Sequence, residues 1–148
     1  MDVKSKEEII KFAQKLNSTN LSPLRSGNIS LKAQNNNEDG FLITPSGKKY
    51  DSLKADDIVF VSLEGRYDEK GLQPSSEWRF HKDIYLKKAD AKAVVHAHSP
   101  HATAVSAHNK DIPAFHYMIA LAGGDNIKCA KYATFGTHKN YLTILLKH

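Results

Sequence analysis

Ile29-Ser30-Leu31-Lys32-Ala33, then Gln34-Asn35-Asn36-Asn37-Glu38-Asp39-Gly40, then Phe41-Leu42-Ile43-Thr44 is the stretch whose reading decides the fold. Apolar Ile29, Leu31 and Ala33 alternate with polar Ser30 and Lys32, the period-two pattern of a strand with one buried face. The polar run 34–40 reads as a turn, and the apolar residues after it bring the chain back. Residues 29–44 are therefore predicted to form an antiparallel β-hairpin.

Outward from the hairpin, strands and helices mix without the strict alternation of a parallel doubly wound sheet. Upstream, Ser5 and Glu8 have capping-box spacing, and Ile9, Phe12, Ala13 and Leu16 follow at helical intervals, which predicts a helix over about 5–16. Downstream, 58–62 reads as a strand before the Glu64-Gly65 turn. Ser75-Ser76-Glu77 opens a second helix with Trp78, His81 and Tyr85 on one stripe and Phe80 and Ile84 beside it. A short buried strand is predicted over 93–97. Ser99 and Pro100 then look like the cap and first residue of a helix running to about His108, and Thr137 caps a last amphipathic segment. The expected fold is a layered α/β domain with a mainly antiparallel sheet.

A chain of 148 residues has the size of one domain, so 1–148 is read as a single unit. Its 41% hydrophobic and 25% charged content excludes disordered and fibrous classes. No apolar run approaches the ~20 residues of a membrane-spanning helix, so no membrane partner is expected. No secretory leader is visible in the mixed-charge first residues, and the single cysteine, Cys129, suits a reducing cytoplasm. The net charge is +5, but Lys48-Lys49 and Lys87-Lys88 are the largest basic clusters and acidic residues are interspersed. No nucleic-acid partner is expected.

The chemical signal starts at His96-Ala97-His98, at the end of an apolar strand. Residues i and i+2 of a strand share a face, so the two imidazoles can converge as zinc ligands do; the alternative is a pair of satisfied core histidines. His101, three residues on, is read as packing or capping on the next helix. Glu77 lies between two serines and Trp78, where a carboxylate can bind a metal or move a proton, or can simply favour a helix start. Ser26-Gly27-Asn28, Thr44-Pro45-Ser46-Gly47 and Ser75-Ser76 offer hydroxyls and backbone N–H groups, suited to an anion or to ordinary turns.

Taken in order, Ser26-Gly27-Asn28-Ile29-Ser30, Ile43-Thr44-Pro45-Ser46-Gly47, the run from Pro74 to His81 and the run from Ala93 to His98 resemble the class II aldolase and adducin family. The run from Ile112 to Ala120, then Ala122-Gly123-Gly124 and the run from Tyr132 to Thr137, is similar to family members that act on L-fuculose 1-phosphate. The resemblance implies a three-layer α/β/α fold around a mainly antiparallel sheet and assembly as a homotetramer. It implies zinc-dependent cleavage of a phosphorylated ketose to dihydroxyacetone phosphate and L-lactaldehyde, with the metal as Lewis acid. His96 and His98 would be zinc ligands and Glu77 the proton-transferring acid/base. Gly27, Asn28, Ser46, Gly47, Ser75 and Ser76 would hold the phosphate. Tyr117 from a neighbouring subunit would act on the aldehyde side, which Phe135 would help to shape.

The family's third zinc histidine comes from a later strand with a histidine-glycine motif. The chain stops before that motif, so the family domain is expected to be incomplete at its C-terminus. Same-family sugar-phosphate epimerases and dehydratases share the two-histidine frame, and the adducin head is a non-enzymatic module on the same fold. Both remain alternative readings.

Overall fold

The hairpin is present and tighter than the polar run suggests. The computed structural model of the chain describes residues 3–23, 26–122 and 124–132. β1 (Asn28–Asn35) runs into what reads as turn, and β2 (Glu38–Ile43) starts before the apolar residues, leaving Asn36 and Asn37 as the connection. Both have positive φ, 49° and 64°. A two-residue hairpin turn of this hand needs left-handed backbone at both positions, and asparagine tolerates it better than most residues.

β3 (Val59–Ser62) pairs with β2 and β4 (Ala93–His96) pairs with β1, giving a four-stranded sheet in the order β3-β2-β1-β4. Every pairing is antiparallel. α1 (Val3–Ser18) starts earlier than the serine–glutamate pair indicates, so Ser5 and Glu8 lie inside the helix. The lysines and glutamates around them are good helix formers and extend it.

Alternation along β1 assigns the two faces. Ile29 and Leu31, with Leu42 of β2, pack against Ile9, Ala13 and Leu16 of α1 and against Tyr50, Leu53 and Ile58. Ser30 and Phe41 look the other way, towards α2 (Trp78–Lys87), where the Phe41 and Tyr85 rings lie 5.3 Å apart. Trp78, Phe80, His81 and Tyr85 are the buried positions of α2, the stripe read from the sequence.

Two expectations of burial fail at one edge. β4 is not a buried strand: Val94 is covered, but Val95 is 59% exposed. Phe12, on the predicted apolar face of α1, is also exposed. β4 is the last strand of the sheet among the described residues, so Val95 and Phe12 line an open apolar groove with Leu31 and Ala93.

The chain divides into two compact units, Met1–His98 and Ser99–His148. In the second, α3 (Pro100–Ala107) begins with proline at its first turn as predicted. Ser99 occupies the N-cap but makes no side-chain cap bond. Ile112 and Ile127 exchange backbone hydrogen bonds of 2.9 and 3.0 Å, and a 3-10 stretch covers Tyr117–Ala122. No helix among the described residues is long and apolar enough to cross a membrane. Thr137 and the segment it is read to cap lie outside the described residues.

Candidate active site

Strand register gathers the site at one end of the sheet. Asn28, the first residue of β1, stands opposite His96, the last residue of β4. Ser30 stands opposite Ile43 at the end of β2, so the turn after β2 leaves from beside the turn that enters β1. The third polar turn is tied on by backbone bonds: Ser46 N–H donates to the Gln73 carbonyl at 2.9 Å, and Ser75 N–H to the Thr44 carbonyl at 3.0 Å. Segments as far apart in sequence as Asn28 and His96 thus share one corner.

The turn at Gly27 is glycine for a physical reason. Its φ is +83°, and a Cβ there would lie 2.5 Å from Ser22 Oγ and 2.6 Å from the His96 carbonyl oxygen. That close approach brings Ser22, fully buried, under the second histidine, where its Oγ accepts the His98 N–H at 3.0 Å. Tyr50 supports the same turn from below by donating its hydroxyl to the Gly27 carbonyl at 2.5 Å. Burial pushes the Tyr50 hydroxyl pKa up, and its bond with Thr44 opposes that shift.

β4 ends at His96, one residue earlier than read from the sequence, so His98 lies just beyond the strand. The two imidazoles still meet, with His96 Nε2 2.8 Å from His98 Nε2 and the rings nearly perpendicular. His96 is half-buried against Phe80, whose ring centroid is 5.2 Å away. Burial holds the His96 pKa below its ordinary value; Glu77 opposes that shift and His98 adds to it. A neutral imidazole is the form that ligates a metal.

Glu77 occupies the N-cap position of α2 but makes no side-chain cap bond. Its Oε2 lies 3.2 Å from His96 Nε2 and accepts the Asn28 side-chain N–H at 2.8 Å. The carboxylate therefore points at the histidine pair from the start of α2. One donor atom each from Glu77, His96 and His98 falls within 4.8 Å of the others. Tetrahedral ligands on zinc bonds of ~2.0–2.1 Å stand roughly 3.3 Å apart. The separations of 2.8 and 3.2 Å are near that figure, and two imidazoles with a carboxylate are a donor set that zinc accepts.

Of the other residues singled out in the sequence, Asn28 and Ser75 are buried, whereas Ser46, Gly47 and Ser76 are exposed in the adjoining turns. His101 sits on α3 and belongs to no three-donor group among the described residues. Tyr117, 79% exposed, stacks on His116 in the second unit. Phe135 lies outside the described residues. Ser22 and Tyr50 were not anticipated: each is an ordinary polar or aromatic residue locally and gains its role only from a long-range contact.

The sequence profile of the class II aldolase and adducin N-terminal domain matches residues 7–144. The L-fuculose phosphate aldolase of Escherichia coli (strain K12) is 46% identical over 143 residues, covering 95% of this chain and 64% of that protein. The 5-methylthioribulose-1-phosphate/5-deoxyribulose-1-phosphate aldolase of Rhodospirillum rubrum is 45% identical over 129 residues, 87% of this chain and 56% of its own length. A solved L-fuculose 1-phosphate aldolase superposes with a TM-score of 0.87 at 36% identity, over 97% of this chain and 66% of that one. The chain thus spans 56–66% of the length of these relatives. Matched along nearly all of its own length, it belongs to the class II aldolase and adducin family.

Proposed function

We propose that this chain is the metal- and phosphate-binding part of a class II sugar-phosphate aldolase that cleaves L-fuculose 1-phosphate, or a similar ketose phosphate, to dihydroxyacetone phosphate and L-lactaldehyde. The observation that carries the proposal is the convergence of Glu77, His96 and His98 at the corner where the three polar turns meet. The matched relatives, named for ketose 1-phosphates that differ in the rest of the sugar, support the coarser reading.

His96 and His98 would hold the zinc ion, which when bound supplies Lewis acidity at the substrate's ketone and hydroxyl oxygens. Gly27, Asn28, Ser46, Gly47, Ser75 and Ser76 form the phosphate side; exposed Ser46 and Ser76 have hydroxyls within reach of a ligand from solvent. In the cleavage direction the hydroxyl proton leaves on the aldehyde side, the carbon–carbon bond breaks, and a proton is delivered to the carbon of the dihydroxyacetone phosphate fragment. We assign that delivery to Glu77, whose carboxylate faces the histidine pair. Tyr117 of a neighbouring copy handles the aldehyde-side proton, beside Phe135, in a cytoplasmic homotetramer with 1–148 as part of one family domain in each protomer.

Zinc calorimetry tests the metal assignment. The chain is expected to bind with an affinity that His96→Ala/His98→Ala abolishes, and identical isotherms would refute the assignment. Incubation with fuculose, rhamnulose and ribulose phosphates, reading dihydroxyacetone phosphate, tests the reaction. An isomeric ketose phosphate without triose release would instead support the epimerase reading.

A further inference from the structure

A fully buried histidine that the proposed chemistry does not use stands behind Glu77. His81 is 0% exposed on the inner face of α2, and both of its ring nitrogens are engaged. Nδ1 lies 2.7 Å from Ser30 Oγ, and Nε2 lies 2.5 Å from Asn28 Oδ1. Ser30 Oγ is also 2.8 Å from the Tyr85 hydroxyl. At the other end, Asn28 Nδ2 donates to Glu77 Oε2. Asn28, Ser30 and Tyr85 are all at most 3% exposed.

The polarity of this chain of bonds follows from its ends. An ionised carboxylate only accepts, so Asn28 must turn its NH₂ to Glu77 and its carbonyl oxygen to His81. His81 must then donate from Nε2, which leaves Nδ1 to accept from Ser30. Ser30 in turn accepts from the Tyr85 hydroxyl. Every group is satisfied in one orientation: Glu77 selects the flip of the buried Asn28 amide, and the His81 Nε2–H anchors its carbonyl oxygen so that the side chain is held at both ends.

We infer that His81 is a positioning residue, which locks the Asn28 side chain and through it aims the Glu77 carboxylate at His96 and His98. The inference rests on the reading of His96 and His98 as zinc ligands with the Glu77 carboxylate facing the same ion. It also gives Asn28 a second task beside the phosphate. Outer partners that orient ligands usually change metal affinity or activity about 10–100-fold when lost.

The test is zinc calorimetry on the chelator-stripped chain and its His81→Phe and His81→Gln variants, with thermal melts alongside. His81→Phe keeps an aromatic ring but no donor and is expected to weaken zinc binding about tenfold or more. His81→Gln can place an N–H near the position of Nε2 and is expected to recover most of the affinity. Equal zinc affinity in folded wild type and His81→Phe overturns the inference, even if the melting temperature falls. A wild-type isotherm unchanged by His96→Ala/His98→Ala overturns the metal reading instead.

A second measurement does not depend on the metal or on the folding of a variant. Long-range proton–nitrogen NMR of the wild-type chain is expected to show His81 as the Nε2–H tautomer. The Nδ1–H tautomer would reverse the bond polarity and refute the positioning role whatever zinc does.

Discussion

The burial of His81 makes the fold sensitive to acid. Burial, with a smaller contribution from His96, lowers its pKa from the ordinary 6.5 to about 3. The groups that face it are Asn28 and Ser30 of β1, Tyr85 of its own helix and, by charge, His96 of β4; none is an anion in contact with the ring. Below pH 6.5 the unfolded chain takes up a proton that the folded chain refuses. Stability attributable to this group is therefore complete above 6.5 and lost as the pH falls towards 3. The slope approaches ~1.4 kcal/mol per pH unit, so lowering the pH from 6.5 to 4.5 removes roughly 2.5 kcal/mol. That is a large share of the ~5–15 kcal/mol of a typical domain. Asp57, whose pKa is lowered chiefly by its bond with Lys48, falls in the same direction only below the ordinary carboxylate value of 3.8, outside this window. His96 is depressed as well, so the informative comparison is with His81→Gln, which keeps the His96 contribution. Urea unfolding followed by Trp78, the single tryptophan, at pH steps from 7 to 4.5 in chelator gives both stability curves. Wild type is expected to lose about 2.5 kcal/mol more than His81→Gln across the window, and parallel curves would refute a buried neutral His81.

The remaining predictions are local. On the proposed reaction, Glu77→Gln assayed at saturating zinc should lower the rate of dihydroxyacetone phosphate release by about 10²–10⁴-fold, and a parental rate would remove Glu77 from the chemistry. Gly27→Ala should lower the melting temperature and weaken zinc binding together, since a Cβ at φ +83° collides with Ser22, which holds the His98 backbone; its cost by denaturant titration should exceed about 1 kcal/mol. Asn37→Val should destabilise the hairpin by about 1–2 kcal/mol, because a β-branched residue resists the left-handed backbone there, and an unchanged midpoint would argue against the two-residue turn.

The parts of the fold legible in the sequence were those set by local pattern. Alternation at Ile29, Leu31 and Ala33 gave β1, and the stripe Trp78, His81 and Tyr85 gave the buried face of α2. Errors arose where a neighbour decides. Val95 is as apolar as Val94, yet strand order puts β4 at an edge, and only one of the two is covered. The Asn36-Asn37 turn was readable in principle, but the surrounding polar residues hid which two of them make it.

The site divides along the same line. His96 and His98 are two residues apart, so their meeting follows from strand geometry even though His98 lies two residues beyond the end of β4. The approach of Glu77 needs two facts that no local pattern carries. One is the register that sets Asn28 opposite His96; the other is the placing of α2 on the face that carries Ser30. Both are met by one polar row, Asn28 and Ser30 on β1 with His81 and Tyr85 on α2. In sequence, these look like a turn asparagine, an outward serine and two core positions. A polar residue at Ser30 in an alternating strand reads as solvent-facing, whereas here it is fully buried because α2 covers that face and supplies its partners. Burying such a row without partners would cost ~1–3 kcal/mol per group. The row is stable only as a connected set, and the set ends on the carboxylate that faces the two histidines.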